Sequence, residues 1–332
     1  MNINDLSPYS ASRLDLFAKK LIEVTKTTPR DFLLVEPYSI GDAVHTLSLV
    51  NAFRTKHCKN GEKINFLCNN SSLPVVNIFR NTDYAIGVNL SPYEYQLEAL
   101  ADRYGPIPLG RPIPMPPDMY ARGWLGRLMG AGLIQTIDAK KMILELDIDT
   151  KPYVPQLDSN IRKSIEDKAQ SIGLKSNSII IFNHANTMRE LNEEIFRPLQ
   201  KTWGDRVFYD ATLDNKGVIS WAKPIKINLD EVPYFASFAG SALCIRSGIT
   251  DLLACADARV ITIYPNQSML FDWSGDKIKL MKGFKTLTLE NLGISGKSKE
   301  YPIFCEDDDS VESVANKIRI LLEKEVFSMR GH

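Results

Sequence analysis

Three short stretches of this chain place reactive side chains where an apolar run gives way to a turn. In "FLLVEPYSIGDAVHTLSLVNAFR", the run Phe32–Glu36 is followed by Pro37, then Gly41, Asp42 and His45. Gly41 permits a tight turn between strand and helix. Asp42 then falls at or near a helix N-cap, where a carboxylate accepts backbone N–H groups and meets the positive dipole end. That capping role is the commoner one for this residue type. Position adds a second role, because ligands of open α/β sheets bind beyond the carboxyl ends of the strands. A carboxylate there can take a proton from an acceptor hydroxyl. His45, one turn further, is a candidate second base or substrate contact, ranked below Asp42 because a lone histidine so placed is more often structural. Gly41 is a candidate substrate contact by proximity.

The second stretch is "ALCIRSGITDLLACADARVITIYP" (Ala242–Pro265), read as strand, turn, helix and strand. Ser247 and Gly248 open its helix, so their N–H groups point outward as an anion site. No Walker lysine and no GxGxxG is present, which excludes a P-loop and a dinucleotide fingerprint. Arg246, Ser247 and Thr250 are the side chains on offer to a diphosphate. The plainer alternative is a βα loop with Ser247 as its cap and Asp251 filling the first turn. The third stretch, "IIIFNHANTMRELNEEIFRPL" (Ile179–Leu199), delivers Asn183, His184, Asn186, Thr187 and Arg189 to the end of a buried strand. Arg189 suits a charge-assisted contact with phosphate, or a pairing with Glu190. His184 is either a phosphate contact or a turn residue.

Parallel α/β architecture is what would position such residues. Helical spacing of Leu14, Phe17, Ala18, Leu21 and Ile22 predicts a helix over Ser12–Lys26. Strands are expected at Phe32–Glu36, Lys63–Asn69 and Tyr84–Leu90, separated by helices over Asp42–Thr55 and Leu73–Arg80. A proline-rich loop, Gly105–Asp118, follows, and then Arg122, Trp124 and Arg127. Arg111, Arg122 and Arg127 are candidates for the side that meets an acceptor, and a structural crossover is equally tenable. The polar, proline-bearing stretch Asp149–Asp158 reads as a linker. Beyond it the alternation restarts, with strands at Ser178–Asn183, Arg206–Ala211, Ala242–Arg246 and Arg259–Pro265, and a final amphipathic helix capped by Ser310. Two α/β halves are therefore expected, 1–152 and 153–332, each with its own sheet. The last helix is a candidate to pack back on the first half.

The chain has 332 residues, 44% hydrophobic and 24% charged, with a formal net charge of zero. That is globular composition with no basic excess for a nucleic-acid partner. Five cysteines without a CxxC pair and four histidines offer no zinc spacing and read as reduced cytosolic thiols. The polar start carries no secretory signal, and no run reaches the ~20 apolar residues of a membrane span. Any membrane contact would be peripheral. No compact DxD pair appears, and "EDDD" (Glu306–Asp309) reads as a solvated helix start, so no metal is expected.

Together the stretches resemble the heptosyltransferase-like glycosyltransferases, glycosyltransferase family nine, within the two-domain GT-B group. That family's "IGDxxxxxPxxxALR" element stands here as "IGDAVHTLSLVNAFR". Its "lvvgnDSGxxHLAAAlgxpvvalyGp" element stands here as "ALCIRSGITDLLACADARVITIYPN". The upstream "EVPYFASFAG" takes the place of an "elaallaxa" helix. The resemblance implies two Rossmann-like domains with a cleft between them, an N-terminal acceptor side and a C-terminal donor side. It implies an inverting, metal-independent transfer of a sugar from a nucleotide-sugar to a glycan or glycolipid hydroxyl, without a cofactor. On this likeness Asp42 is the base, and Gly248 and Ile249 match the backbone near the donor diphosphate. The resemblance also implies work in bacterial cell-surface polysaccharide synthesis, in the cytoplasm or at the inner membrane face. Three positions depart from the pattern. Ser48 replaces a proline, Arg246 an aspartate and Asp251 a histidine, which leaves donor chemistry open. A nucleotide-sugar epimerase or hydrolase, or a non-catalytic sugar-nucleotide-binding subunit, are the alternative readings.

Overall fold

The computed structural model describes residues 11–93, 96–97, 100, 133–185, 190–265, 287–306 and 309–326. The chain divides into two compact units, Met1–Tyr153 and Val154–His332. The division falls inside the proline-bearing stretch Asp149–Asp158.

The first unit is built on three parallel strands, β1 (Phe32–Glu36), β2 (Ile64–Asn69) and β3 (Tyr84–Val88), in the order β1-β2-β3. Every β1 residue is buried, as a strand covered on both faces requires. Side chains alternate between those faces. Leu33 and Val35 join Leu14, Phe17 and Leu21 of helix α1 (Ala11–Val24) in one cluster. Phe32 and Glu36 turn the other way, toward helix α2 (Ile40–His57): Phe32 meets the Phe53 ring edge-on at 5.1 Å, and Glu36 bonds Thr46. Helix α3 (Leu73–Phe79) carries Pro74 in its first turn. Helix α4 (Thr136–Ile143) follows later in the unit and was not expected from the sequence. Its Ala139 and Ile143 form a small satellite cluster with Ile134.

The second unit holds a six-stranded parallel sheet. Its strands are β4 (Ile179–Phe182), β5 (Val207–Asp210), β6 (Lys223–Ile225), β7 (Ser241–Ile245), β8 (Arg259–Tyr264) and β9 (Lys299–Phe304), in the order β6-β5-β4-β7-β8-β9. The chain starts at the centre of the sheet, winds outward through β5 and β6, then returns to β7 beside β4. The order therefore reverses between β4 and β7, which is the topological switch point of a doubly wound fold. The helices of this unit include α5 (Ser159–Ser171), α6 (Arg197–Trp203), α7 (Val232–Ala239), α8 (Gly248–Leu253) and α9 (Val311–Val326). Gly240, at φ 80°, closes α7 in the left-handed conformation. The final helix buries Val314, Ile318 and Leu322 in the core of its own unit, beside Ile181, Leu243 and Ile261. Ser310 caps it as expected, its Oγ accepting the Ser313 N–H at 3.1 Å.

Candidate active site

In the first unit the residues of interest lie where β1 passes into α2. Ser39, not Asp42, is the N-cap. Asp42 stands three residues on and completes a capping box. Its Oδ2 accepts from the Ser39 hydroxyl at 2.7 Å and the Ser39 N–H at 3.3 Å, while Ser39 Oγ accepts the Asp42 N–H at 3.4 Å. Asp42 therefore lies near the N-cap and accepts a backbone N–H there, as expected, while Ser39, with its extended backbone, is the cap itself. The offset leaves the Asp42 carboxylate at the rim, its side chain 14% exposed.

Behind Asp42 lies a polar cluster that sequence reasoning missed. Glu36, at the end of β1, and Lys140, on α4, form an ion pair at 2.8 Å, with side chains 0% and 1% exposed. Thr46 donates to Glu36 Oε2 at 2.8 Å, and Lys140 Nζ donates to Thr46 Oγ1 at 2.9 Å. Burial pushes the Glu36 carboxyl above its ordinary range. The Lys140 ammonium pulls the other way and does not overcome it. His45 is buried within the same helix. Ser48 turns its Oγ back to the His45 carbonyl at 2.7 Å, and its own carbonyl accepts the Tyr153 N–H at 2.7 Å.

In the second unit three loops converge on the switch point. After β4, Asn183 closes the base of its loop: its Nδ2 donates to the Leu191 carbonyl and its Oδ1 accepts the Leu191 N–H, both at 2.9 Å. Next to it, His184 Nε2 and Asp210 Oδ2 lie 2.9 Å apart, both residues buried. Asp210 ends β5, and its other oxygen accepts the Thr212 N–H at 3.0 Å and the Thr212 hydroxyl. Gly217, at φ 63°, lets the β5 loop lie directly on Asn183, since a Cβ there would fall 2.6 Å from the Asn183 carbonyl oxygen. Asp210 was not foreseen: the sequence shows an aspartate closing an apolar strand, but its place beside His184 is set by the pairing of β4 with β5.

After β7, Ser247 caps the short helix α8, its Oγ accepting from Ile249 N at 3.3 Å, and Thr250 Oγ1 accepts the Ser247 N–H at 3.3 Å. Ile249 and Thr250 are buried, and Gly248 is partly exposed. Arg246, expected to reach a diphosphate, is instead 4% exposed and engaged. Its Nη1 and Nη2 bond the two Asp251 oxygens at 3.0 and 2.8 Å, a fork-to-fork pair, and Nη1 also donates to the Ser247 carbonyl. Burial, the largest single influence, would lower the guanidinium's affinity for its proton; the charge and hydrogen bonds of Asp251, with Tyr264 and Glu300, together hold it above the ordinary range. Arg246 and Asp251, the second of them also a candidate substrate contact by its place in the sequence, are thus bonded to each other.

Asn186, Thr187, Arg189, Arg111, Arg122 and Arg127 lie outside the described residues. Burial pushes the thiols of Cys68, Cys244 and Cys255 up to about 12, so these cysteines are protonated packing residues. Among the described residues no helix is long and apolar enough to cross a membrane.

No protein-family model matches the chain, and no curated protein matches it in sequence. Solved structures do match in fold. The ADP-heptose lipopolysaccharide heptosyltransferase II of E. coli aligns over 89% of this chain and 99% of its own, with a TM-score of 0.54 and 14% identity. A family 9 glycosyl transferase from Veillonella parvula aligns over 89% and 98%, with a TM-score of 0.55 and 12% identity. In fold the chain is therefore similar, over most of its length, to heptosyltransferase-like, GT-B-type glycosyltransferases.

Proposed function

We propose that the chain is an inverting, metal-independent glycosyltransferase that moves a sugar from a nucleotide-sugar donor to a hydroxyl of a glycan or glycolipid acceptor, in the synthesis of a bacterial cell-surface polysaccharide. The observation that carries the donor half of this reading is the switch point between β4 and β7, flanked by the His184–Asp210 pair and the Ser247–Gly248 turn. Crevices at such points hold nucleotides in doubly wound folds. Asp42 is the base. It accepts the acceptor's hydroxyl proton as the oxygen bonds the anomeric carbon, and the bond from that carbon to the diphosphate oxygen breaks on the opposite side. The departing nucleoside diphosphate is met by His184 and by N–H groups at the start of α8. Arg246 contributes indirectly, by pinning the Ser247 carbonyl and with it the turn. In this reading the protein works in the cytoplasm, at the membrane face where a glycolipid acceptor lies.

Binding is the direct test. A ligand at 100 times its Kd stabilises the native state by about 2.7 kcal/mol. One of ADP, UDP, GDP, CMP or dTDP is expected to raise the melting temperature by several degrees, with ADP the first choice because the E. coli neighbour uses ADP-heptose. A flat response to all five would remove the donor reading. In the same assay His184→Ala is expected to weaken the bound nucleotide by about 10-fold, as losing a charge-assisted hydrogen bond does. Asp210→Asn should weaken it less, since the ring stays but loses its fixed orientation. An unchanged affinity in His184→Ala would move the diphosphate elsewhere.

A further inference from the structure

The buried cluster behind Asp42 has a geometry that neutralising one carboxylate does not require. Lys140 reaches from α4 with its side chain 1% exposed. Its Nζ donates to Glu36 Oε2 at 2.8 Å, to Thr46 Oγ1 at 2.9 Å and to the backbone carbonyl of Asp42 at 3.0 Å, and lies 3.8 Å from Asp42 Oδ1. Two of these contacts go to Asp42 itself. Ser39 holds the opposite carboxylate oxygen, Oδ2, from the other side. The Asp42 carboxylate is thus gripped at Oδ2 by a hydroxyl and an N–H, and faced at Oδ1 by an ammonium. A lysine this deeply buried is costly unless its charge and donors are used, so the cluster fixes Nζ in one place.

We propose that Lys140 is a positioning residue for Asp42: through the Asp42 carbonyl it fixes the first turn of α2, and through its charge it keeps the Asp42 carboxylate ionised and oriented between turnovers. A cation beside a carboxylate favours the charged form, and an anion disfavours it. Among the described residues, the charged groups set against the Asp42 carboxylate include Lys140 from α4 and Glu36 from β1. Glu36 takes a share of the ammonium's charge, so Asp42 feels the difference between the two. The inference rests on Asp42 being the base, but it is read by a different measurement.

That measurement is the titration of the Asp42 carboxyl carbon by NMR in the full chain labelled with ¹³C-aspartate, the signal assigned by its loss in Asp42→Asn. Lys140→Met is expected to raise the Asp42 midpoint by about one unit, a tenfold gain in proton affinity. Glu36→Gln is expected to lower it. The double variant Glu36→Gln/Lys140→Met replaces the whole buried pair, a change that proteins often tolerate better than breaking it, and its midpoint should still rise. Circular dichroism checks the fold of each. An unmoved midpoint in a folded double variant would overturn the inference, since Lys140 would then be Glu36's partner alone. Should neither lysine variant fold, Glu36→Gln decides: a lowered midpoint supports the shared charge, and an unmoved one overturns it. Failure of the base assignment looks different. Asp42→Asn would keep its turnover while the Asp42 midpoint still followed Lys140.

Discussion

Asp42→Asn is expected to cut glycosyl transfer by about 10²- to 10⁴-fold, the usual contribution of a positioned general base. Asparagine is nearly isosteric and keeps an oxygen to accept from the Ser39 hydroxyl and N–H, so the start of α2 should survive. What disappears is the ability to take a proton. The variant should therefore melt within a few degrees of the wild type and bind the nucleotide found by the melting screen with unchanged affinity. Initial rates with the corresponding nucleotide-sugar, ADP-heptose first, would separate the two effects. Turnover within tenfold of the wild type would leave Asp42 as a capping-box residue and nothing more.

The second large effect concerns stability. Asp251→Ala should destabilise the second unit by roughly 3–5 kcal/mol, because it strands a buried guanidinium without its partner. Arg246 and Asp251 have side chains only 5% and 1% exposed, so water cannot take over the lost bonds. For a unit of this size the loss corresponds to a melting temperature lower by on the order of 10 °C. Replacing both partners, as in Arg246→Met/Asp251→Leu, should recover most of it, since the cost lies in the orphaned charge and not in the absent pair. Calorimetry on the three proteins checks the pattern. A single variant that melts within about 2 °C of the wild type would mean the pair is not buried in solution.

The same pair makes sense of two departures from the glycosyltransferase pattern that the sequence resembles. Arg246 and Asp251 replace an aspartate and a histidine, and taken separately each is a puzzle. In the structure they are one substitution: the guanidinium satisfies the carboxylate, and the carboxylate satisfies the guanidinium. Their five-residue separation is no helical pairing interval. It closes because Arg246 stands just before the N-cap Ser247, and Asp251 lies in the first turn of the helix that follows.

What was legible followed from periodicity. The apolar runs Phe32–Glu36 and Ile179–Phe182 became fully buried strands, and the spaced leucines of the first helix became a packed face. Strands β6 and β9 escaped because Pro224 and Pro302 interrupt them, and proline within a run argues against a central strand. Helix α4 escaped because two adjacent lysines mask its short apolar pattern, and the burial of Lys140 is set by Glu36 and Thr46, which are about a hundred positions away in the chain. Residue type predicted solvent for that lysine, and tertiary pairing overrode it. Asp42 and His184 could be picked out by their position after a strand. Asp210 and Glu36 depend on which strands lie side by side, and that is a property of topology.

Those two prolines also bear on how the protein behaves in company. The outermost of the described strands in the six-stranded sheet each carry a proline and a lysine, Pro224 with Lys223 and Pro302 with Lys299. An open strand is a template on which another chain can extend the sheet, and solubility depends on spoiling that template. A missing N–H removes a rung an incoming strand would need, and a charged side chain makes its approach unfavourable. The feature that hid these strands from a sequence pattern thus also blunts the outer edges of the described sheet, and it guards a parallel core against joining its neighbours.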